Sequence, residues 1–299
     1  MAGVKDFLAK WVVPKGFLDI YAEINSKNLD KDIYSEINPI NFGNGKTYTS
    51  EESVLLMENK KIKDKHVGER CFIVGSGSSI SKQDLTKLAG EIVLTVSNSF
   101  VHPAIPIIRP KYHILPTVLE ENSEFNTVEE FMMWFSEMEE KTFNAEMFFH
   151  IGERSELLKR GLYKNRIIHW IDYAPWNEQM PVAEFDLVNI PGVWSVSETA
   201  IIVALYLGFS EIYLLGFDHD WFNGPYVYFF DEKSEHKLKP DISKGAFLDS
   251  EFQMRRHAYI FNKYKKLYAL KQNIYNANAD LNSYVDVFPK VVYEKLFTR

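Results

Sequence analysis

Short apolar runs alternate with helix-patterned segments along most of this chain, and that alternation constrains the fold more than any other feature. The runs "RCFIVGS" (70–76), "EIVLTVSNS" (91–99), "KYHILP" (111–116), "EMFFHIG" (146–152), "EIYLLGFD" (211–218) and "NIYNAN" (273–278) read as strands. Between them, residues 81–89, 127–141, 197–208 and 250–271 carry helical spacing, while 153–191 is poorly patterned. Strands that are apolar throughout and separated by helices belong in a parallel sheet covered on both faces. The expected fold class is therefore α/β, with a core from about residue 68 to 299 and a polar N-terminal extension over 1–67. In that extension a helix is expected from Ser50, read as its N-cap, to Lys60.

Composition narrows the function. A chain of 299 residues, 46% hydrophobic and 15% aromatic, can bury one large or two modest cores. A net charge of −7 argues against a protein devoted to a bare nucleic-acid backbone. The single cysteine, Cys71, lies inside an apolar strand, which rules out a disulfide framework or Cys-rich zinc site and suggests core filling. No apolar run is long enough for a membrane span and no signal-peptide core is visible, so a cytoplasmic protein is expected. Residues 1–24 pair Phe7, Leu8, Trp11 and Phe17 with Lys5, Lys10 and Lys15 around Pro14. Such a stripe either docks on a membrane face or partner or packs on its own domain.

In a parallel sheet, ligands sit at the carboxyl ends of the strands. The loop "VGSGSSIS" ends the first strand there, with Gly75 and Gly77 allowing close backbone approach and Ser76, Ser78 and Ser79 supplying hydroxyls. It suits a phosphate, though it lacks a Walker lysine and a third glycine, Ile80 standing in that place; a purely structural strand-to-helix turn is the competing reading. Asn98, at the next strand end, offers a donor and an acceptor, or caps a turn. Ser195 and Ser197 precede a long apolar helix and form a second candidate anion site. Asn278 ends the last strand on the same rim. "DHD" (218–220) either holds a divalent metal by a D-x-D pattern or places Asp218 as a plain acceptor at a strand end.

The glycine-serine loop, the strand-end Asn, the Ser before an apolar helix, "LGFSEIYLLGFD" and the tail "IYNANADLNSYVDVFPKVVYEKL" together resemble the bacterial family-42 sialyltransferases and the wider group of 6-hydroxymethylpterin diphosphokinase-like surface-polysaccharide glycosyltransferases. The resemblance spans roughly residues 69–296. It implies a variant Rossmann-like domain, with a lid over about 220–249, that binds a CMP-activated acidic sugar. Gly75, Gly77 and Ser79 match the family's G-N-G-P-S loop, Asn98 its strand-end Asn, Ser195 its Thr-Ser-Gly turn and Asp218 the Asp of its G-x-D. Ser76 and Ser78 depart from the family's Asn and Pro. Tyr226 and Tyr228 are implied to steady the leaving phosphate, as lid tyrosines do in the sialyltransferases; burying the lid is the competing reading of "YVYFF".

The family's general-base His has no counterpart in "KGAFLDSEF". His219, His236 and then His257 are the candidates, with Asp220 as a substitute and His257 expected beside Arg255 and Arg256 on a solvated helix face. The expectation is a metal-independent inverting glycosyltransferase of capsule or lipopolysaccharide synthesis, with a nucleotide-sugar donor as substrate and no cofactor. Its acceptor would be a glycan or lipid-linked molecule at the inner membrane face, and self-association is plausible. Two rivals stay open: an ATP- and magnesium-dependent pterin diphosphokinase-like transferase, and a non-catalytic polysaccharide-assembly protein.

Overall fold

A computed structural model describes residues 46–115, 127–174, 186–220, 228–230, 250–279 and 283–298. Seven parallel strands form one sheet: β1 (Arg70–Val74), β2 (Ile92–Val96), β3 (Tyr112–Ile114), β4 (Glu146–His150), β5 (Ile168–Ile171), β6 (Glu211–Leu215) and β7 (Ile274–Asn276). Their order is β5-β4-β3-β2-β1-β6-β7. The chain runs outward from β1 to β5 and then returns to lay β6 against the other side of β1. Connections therefore leave the carboxyl ends of β1 and β6 in opposite directions, the place at which parallel sheets bind ligands.

Alternate residues of the strands face opposite layers. Cys71, Ile73, Leu94, Ile212 and Leu214 point into one core with α5 (Val196–Tyr206) and α6 (Ser250–Leu270). Phe72, Val74, Val93 and Leu215 point into the other, against short turns and α2 (Ile105–Ile108). Further along that second layer, α1 (Ser50–Met57), α3 (Val128–Lys141) and α4 (Arg154–Arg160) cover β4 and β5 through Leu56, Phe135, Leu157, Met147 and Phe149. Helix α5 is buried all round from Ser197 to Tyr206. Ile201, Ile202 and Leu205 each contribute roughly 1.5–3 kcal/mol by leaving water. Cys71 is a buried free thiol, as its strand position suggests.

Four sequence expectations need correction. Helix 81–89 is two separate 3-10 turns, Ser78–Lys82 and Leu85–Leu88, because Asp84 accepts from the Thr86 amide and restarts the chain there. The N-cap of α1 is Thr49, in a reciprocal box with Glu52, rather than Ser50. Strand β5 and helix α4 occupy the stretch read as unpatterned. His257 is 4% exposed and lies with Gln253, Ile260, Tyr264 and Leu267 on the inward face of α6, not on a solvated one. Among the described residues no helix is long and apolar enough to cross a membrane.

Candidate functional site

The glycine loop folds directly onto the end of β6. The Gly75 and Gly77 amides donate to Leu215 and Gly216 carbonyls at 2.8 and 3.0 Å. A Cβ on Gly75 would lie 2.5 Å from the Gly216 carbonyl oxygen, and one on Gly77 would lie 2.5 Å from Asp218 Oδ2. Gly216 has φ +68°, a conformation only glycine adopts without strain, and its own Cβ would meet Ile80 at 2.6 Å. Glycine is thus required here by backbone crowding between two strand ends.

Asp218 binds that loop closed. Its carboxylate accepts the Ser79 amide at 3.0 Å and the Ser79 hydroxyl. Asn278 donates to it from Nδ2 at 3.3 Å while bracketing Phe217, donating to its carbonyl and accepting its amide. The Ser79 hydroxyl, expected to serve a phosphate, is therefore already occupied, as is its amide. Ser76 and Ser78 remain half-buried, with hydroxyls that make no hydrogen bond among the described residues. Across the loop, Tyr228 bridges Gly77 in antiparallel fashion, the Phe229 amide reaches the Ser76 carbonyl at 3.3 Å, and Phe229 packs on His102. Tyr228 thus stands against the glycine loop; Tyr226, His236 and residues 1–24 lie outside the described residues.

The second Ser loop is also clamped. Ser195 caps α5, and the Glu198 carboxylate takes the Trp194 and Ser195 amides at 2.7 and 2.8 Å. Lys263 neutralises Glu198 at 2.9 Å, both side chains being almost fully buried, and also holds the Gly192 carbonyl. Burial pushes the Glu198 carboxyl up and the Lys263 ammonium down, each shift partly offset by its partner. Both loops expected to seek an anion hold a carboxylate of the chain itself.

His219, held at φ +50°, turns away from the crevice into the protein. Its Nε2 lies 2.8 Å from Tyr264 Oη, which donates to Ser197 Oγ at 2.6 Å, which in turn donates to Ser195 Oγ at 2.8 Å. A tyrosine that donates onward accepts from His219, so Nε2 carries the proton. Burial, with the nearby His257 and Arg256, lowers the His219 imidazole to about 3. Such a group holds its neighbours in place and is a poor base at neutral pH. Asp220 behaves differently: burial and the adjacent Asp218 charge push its carboxyl up, and Oδ1 is shielded from water with no partner. Asn98 is fixed by Trp134, whose indole N–H donates to Oδ1 at 2.7 Å.

The ends of β1 and β6 thus gather Gly75, Gly77, Ser79, Asp218, Tyr228 and Asn278, while Ser195, Ser197 and His219 belong to a separate hydrogen-bonded chain through Tyr264. Sequence reasoning missed Tyr264 and Lys263, whose helical spacing marks core positions and nothing more. Among the described residues no cluster has the composition to hold a metal ion. No family model matches the chain, and no curated protein is similar enough to it to register as a relative.

Proposed function

We propose that this protein is a nucleotide-sugar-dependent glycosyltransferase, using a CMP-activated acidic sugar and a glycan or lipid-linked acceptor by inverting, metal-independent displacement. The observation that carries the reading is the crowded strand-end crevice at β1 and β6, where a glycine loop, an Asp, an Asn and an aromatic segment converge at the position where parallel sheets bind ligands. Among the described residues, Ser76, Ser78 and the Asn98 amide nitrogen are donors without a protein partner, and the bridge of Tyr228 to Gly77 beside them supports a role for Tyr228 at a leaving phosphate. A cytoplasmic enzyme working at the inner membrane face accords with this chemistry.

The magnesium-dependent alternative would use "DHD" as a metal ligand set. Asp218 is engaged by Ser79 through both oxygens and His219 faces inward, so that use requires dismantling the loop. Thermal-shift measurements with CMP, CDP, UDP, GDP and ATP, each with and without magnesium, test the proposal. Stabilisation by CMP regardless of magnesium is the expected result; at 100 times its dissociation constant it adds about 2.7 kcal/mol. A shift requiring ATP and magnesium supports the diphosphokinase-like reading, and no shift with any nucleotide supports a non-catalytic role.

A further inference from the structure

The short turn after β2 carries a histidine that no sequence motif marks. Beyond β2 the chain enters the 3-10 turn Ser97–Val101 through Ser97, whose φ of +45° is unusual for a residue other than glycine. His102 ends that turn, its amide donating to the Ser99 carbonyl at 3.1 Å. In its side chain, Nδ1 accepts the Ala104 amide at 3.1 Å. A nitrogen that accepts from an amide keeps its lone pair, so in the neutral ring the proton sits on Nε2. Burial lowers the His102 imidazole from its usual value, which keeps the ring neutral at pH 7. The side chain is only half-buried: its Nε2–H makes no hydrogen bond among the described residues and is not closed off from solvent.

Phe229 ties this imidazole to the glycine loop. Its ring packs on the His102 ring with centroids 5.0 Å apart, and its amide donates to the Ser76 carbonyl at 3.3 Å. The sheet brings the same two segments together, since Val74 of β1 lies opposite Thr95 of β2, and Ser76 and Ser97 each follow two residues later. The Ser76 hydroxyl is likewise half-buried and without a partner among the described residues. The carboxylate that the loop does engage, Asp218, comes from the β6 side and is taken up by Ser79 and Asn278. On the β2 side the loop therefore presents an imidazole N–H and a hydroxyl, neither of them bonded to a carboxylate. The imidazole is held by Ala104 through Nδ1 and by Phe229 through its ring, so the direction of its N–H is fixed. Fixed donors of this kind suit an anionic oxygen.

We propose that the His102 Nε2–H and the Ser76 hydroxyl together bind an anionic oxygen of the nucleotide-sugar donor, on its phosphate or on its sugar carboxylate. The inference deepens the transferase reading and rests on it. His102 acts here as a neutral hydrogen-bond donor and takes no proton from the acceptor. The end of β2 thereby shares with the glycine loop in holding the donor substrate.

The test is calorimetry on the full chain with cytidine, CMP and CMP-N-acetylneuraminic acid. His102→Phe keeps a ring against Phe229 and removes the N–H. A fall of about tenfold in affinity for CMP, with cytidine unchanged, places the oxygen on the phosphate; a fall for CMP-N-acetylneuraminic acid alone places it on the carboxylate. His102→Gln puts an amide nitrogen near the position of Nε2 and should bind that ligand within threefold of wild type. Ser76→Ala should weaken the same ligand more than threefold, and it reads the site if His102→Phe folds poorly. Changes of threefold or less in His102→Phe, an equal loss for cytidine, or equal losses in His102→Gln and His102→Phe overturn the role of His102 and leave the transferase reading intact. A wild-type chain that binds neither CMP nor CMP-N-acetylneuraminic acid overturns both.

Discussion

Replacing Gly77 by Ala asks whether the glycine loop is as closely seated on β6 as its geometry demands. The added methyl would lie 2.5 Å from Asp218 Oδ2 and 2.7 Å from both Asp218 Cγ and the Gly216 carbonyl oxygen. Gly77 has an ordinary φ of −64°, so the cost is steric and not torsional. Overpacking typically costs about 1–3 kcal/mol, and displacing Asp218 from the Ser79 amide and hydroxyl forfeits hydrogen bonds to a charged group. Because Asp218 is only half-buried, the lower end of the charged-bond range applies, and Gly77→Ala should destabilise by about 3 kcal/mol. Urea unfolding at constant m value reads this as a lower midpoint.

The same geometry predicts coupling. Asp218→Ala removes the carboxylate that the methyl would strike but leaves the Gly216 carbonyl in its way. The double variant should therefore be more stable than additivity allows by about 1 kcal/mol or more, within the range of residues in direct contact. Additive costs within about 0.5 kcal/mol would mean that the loop and Asp218 do not share this space, and the crevice described above would be wrong in its central detail.

Two further outcomes follow from buried charge. His219 and His113 are each held to about 3 by burial, whereas an unfolded histidine takes its proton near 6.5. The unfolded chain then binds more protons between those values, so stability falls as pH falls through the window, by about 1.4 kcal/mol per pH unit for each imidazole. Burial pushes the Asp172 carboxyl up, but hydrogen bonds from His150, Lys46 and Tyr48 outweigh burial and hold it at about 2, so it adds a loss only below about 3.8, the usual value it would regain on unfolding. His219→Gln should flatten the urea midpoint against pH between 6.5 and 3, and an unchanged slope would refute the burial argument. Lys263→Met strands the Glu198 carboxylate in the core and should cost about 3–5 kcal/mol, with Glu198→Gln in the same chain restoring part of it. Equal stability of Lys263→Met and wild type in urea would contradict the pairing.

Strands β1, β2, β4 and β6 were legible because each is buried on both faces and so is apolar at almost every position. β5 was not, since "IHWI" is short and carries His169, whose imidazole pairs with Glu146 of the neighbouring strand at 2.7 Å. The turns at 78–88 defeat periodicity for a different reason: the Asp84 carboxylate accepts the Thr86 amide and starts a second turn, so no single helix spans 81–89. His257 was legible in the 253, 257, 260, 264, 267 spacing, but the flanking Arg255 and Arg256 drew the reading outward. Of the site, the glycines, Asp218 and Asn278 were readable from their strand-end positions. Their hydrogen bonding to one another, which decides what remains for a ligand, depends on contacts that sequence spacing does not encode.

Helix α5 explains why two polar groups so far apart on the rim can be held in register. Its first turn touches both: Ser197 receives the hydroxyl of Tyr264, the partner of His219, and Thr199 meets Tyr173, the residue stacked on His150. Glu198 between them is locked by Lys263 and by the amides of Trp194 and Ser195, so this turn has little freedom to rotate. The apolar remainder of α5 is buried against the sheet, fixing the turn relative to the strand ends. A polar turn at the head of an otherwise apolar helix thus ties the segments that follow β5 and β6 to one another.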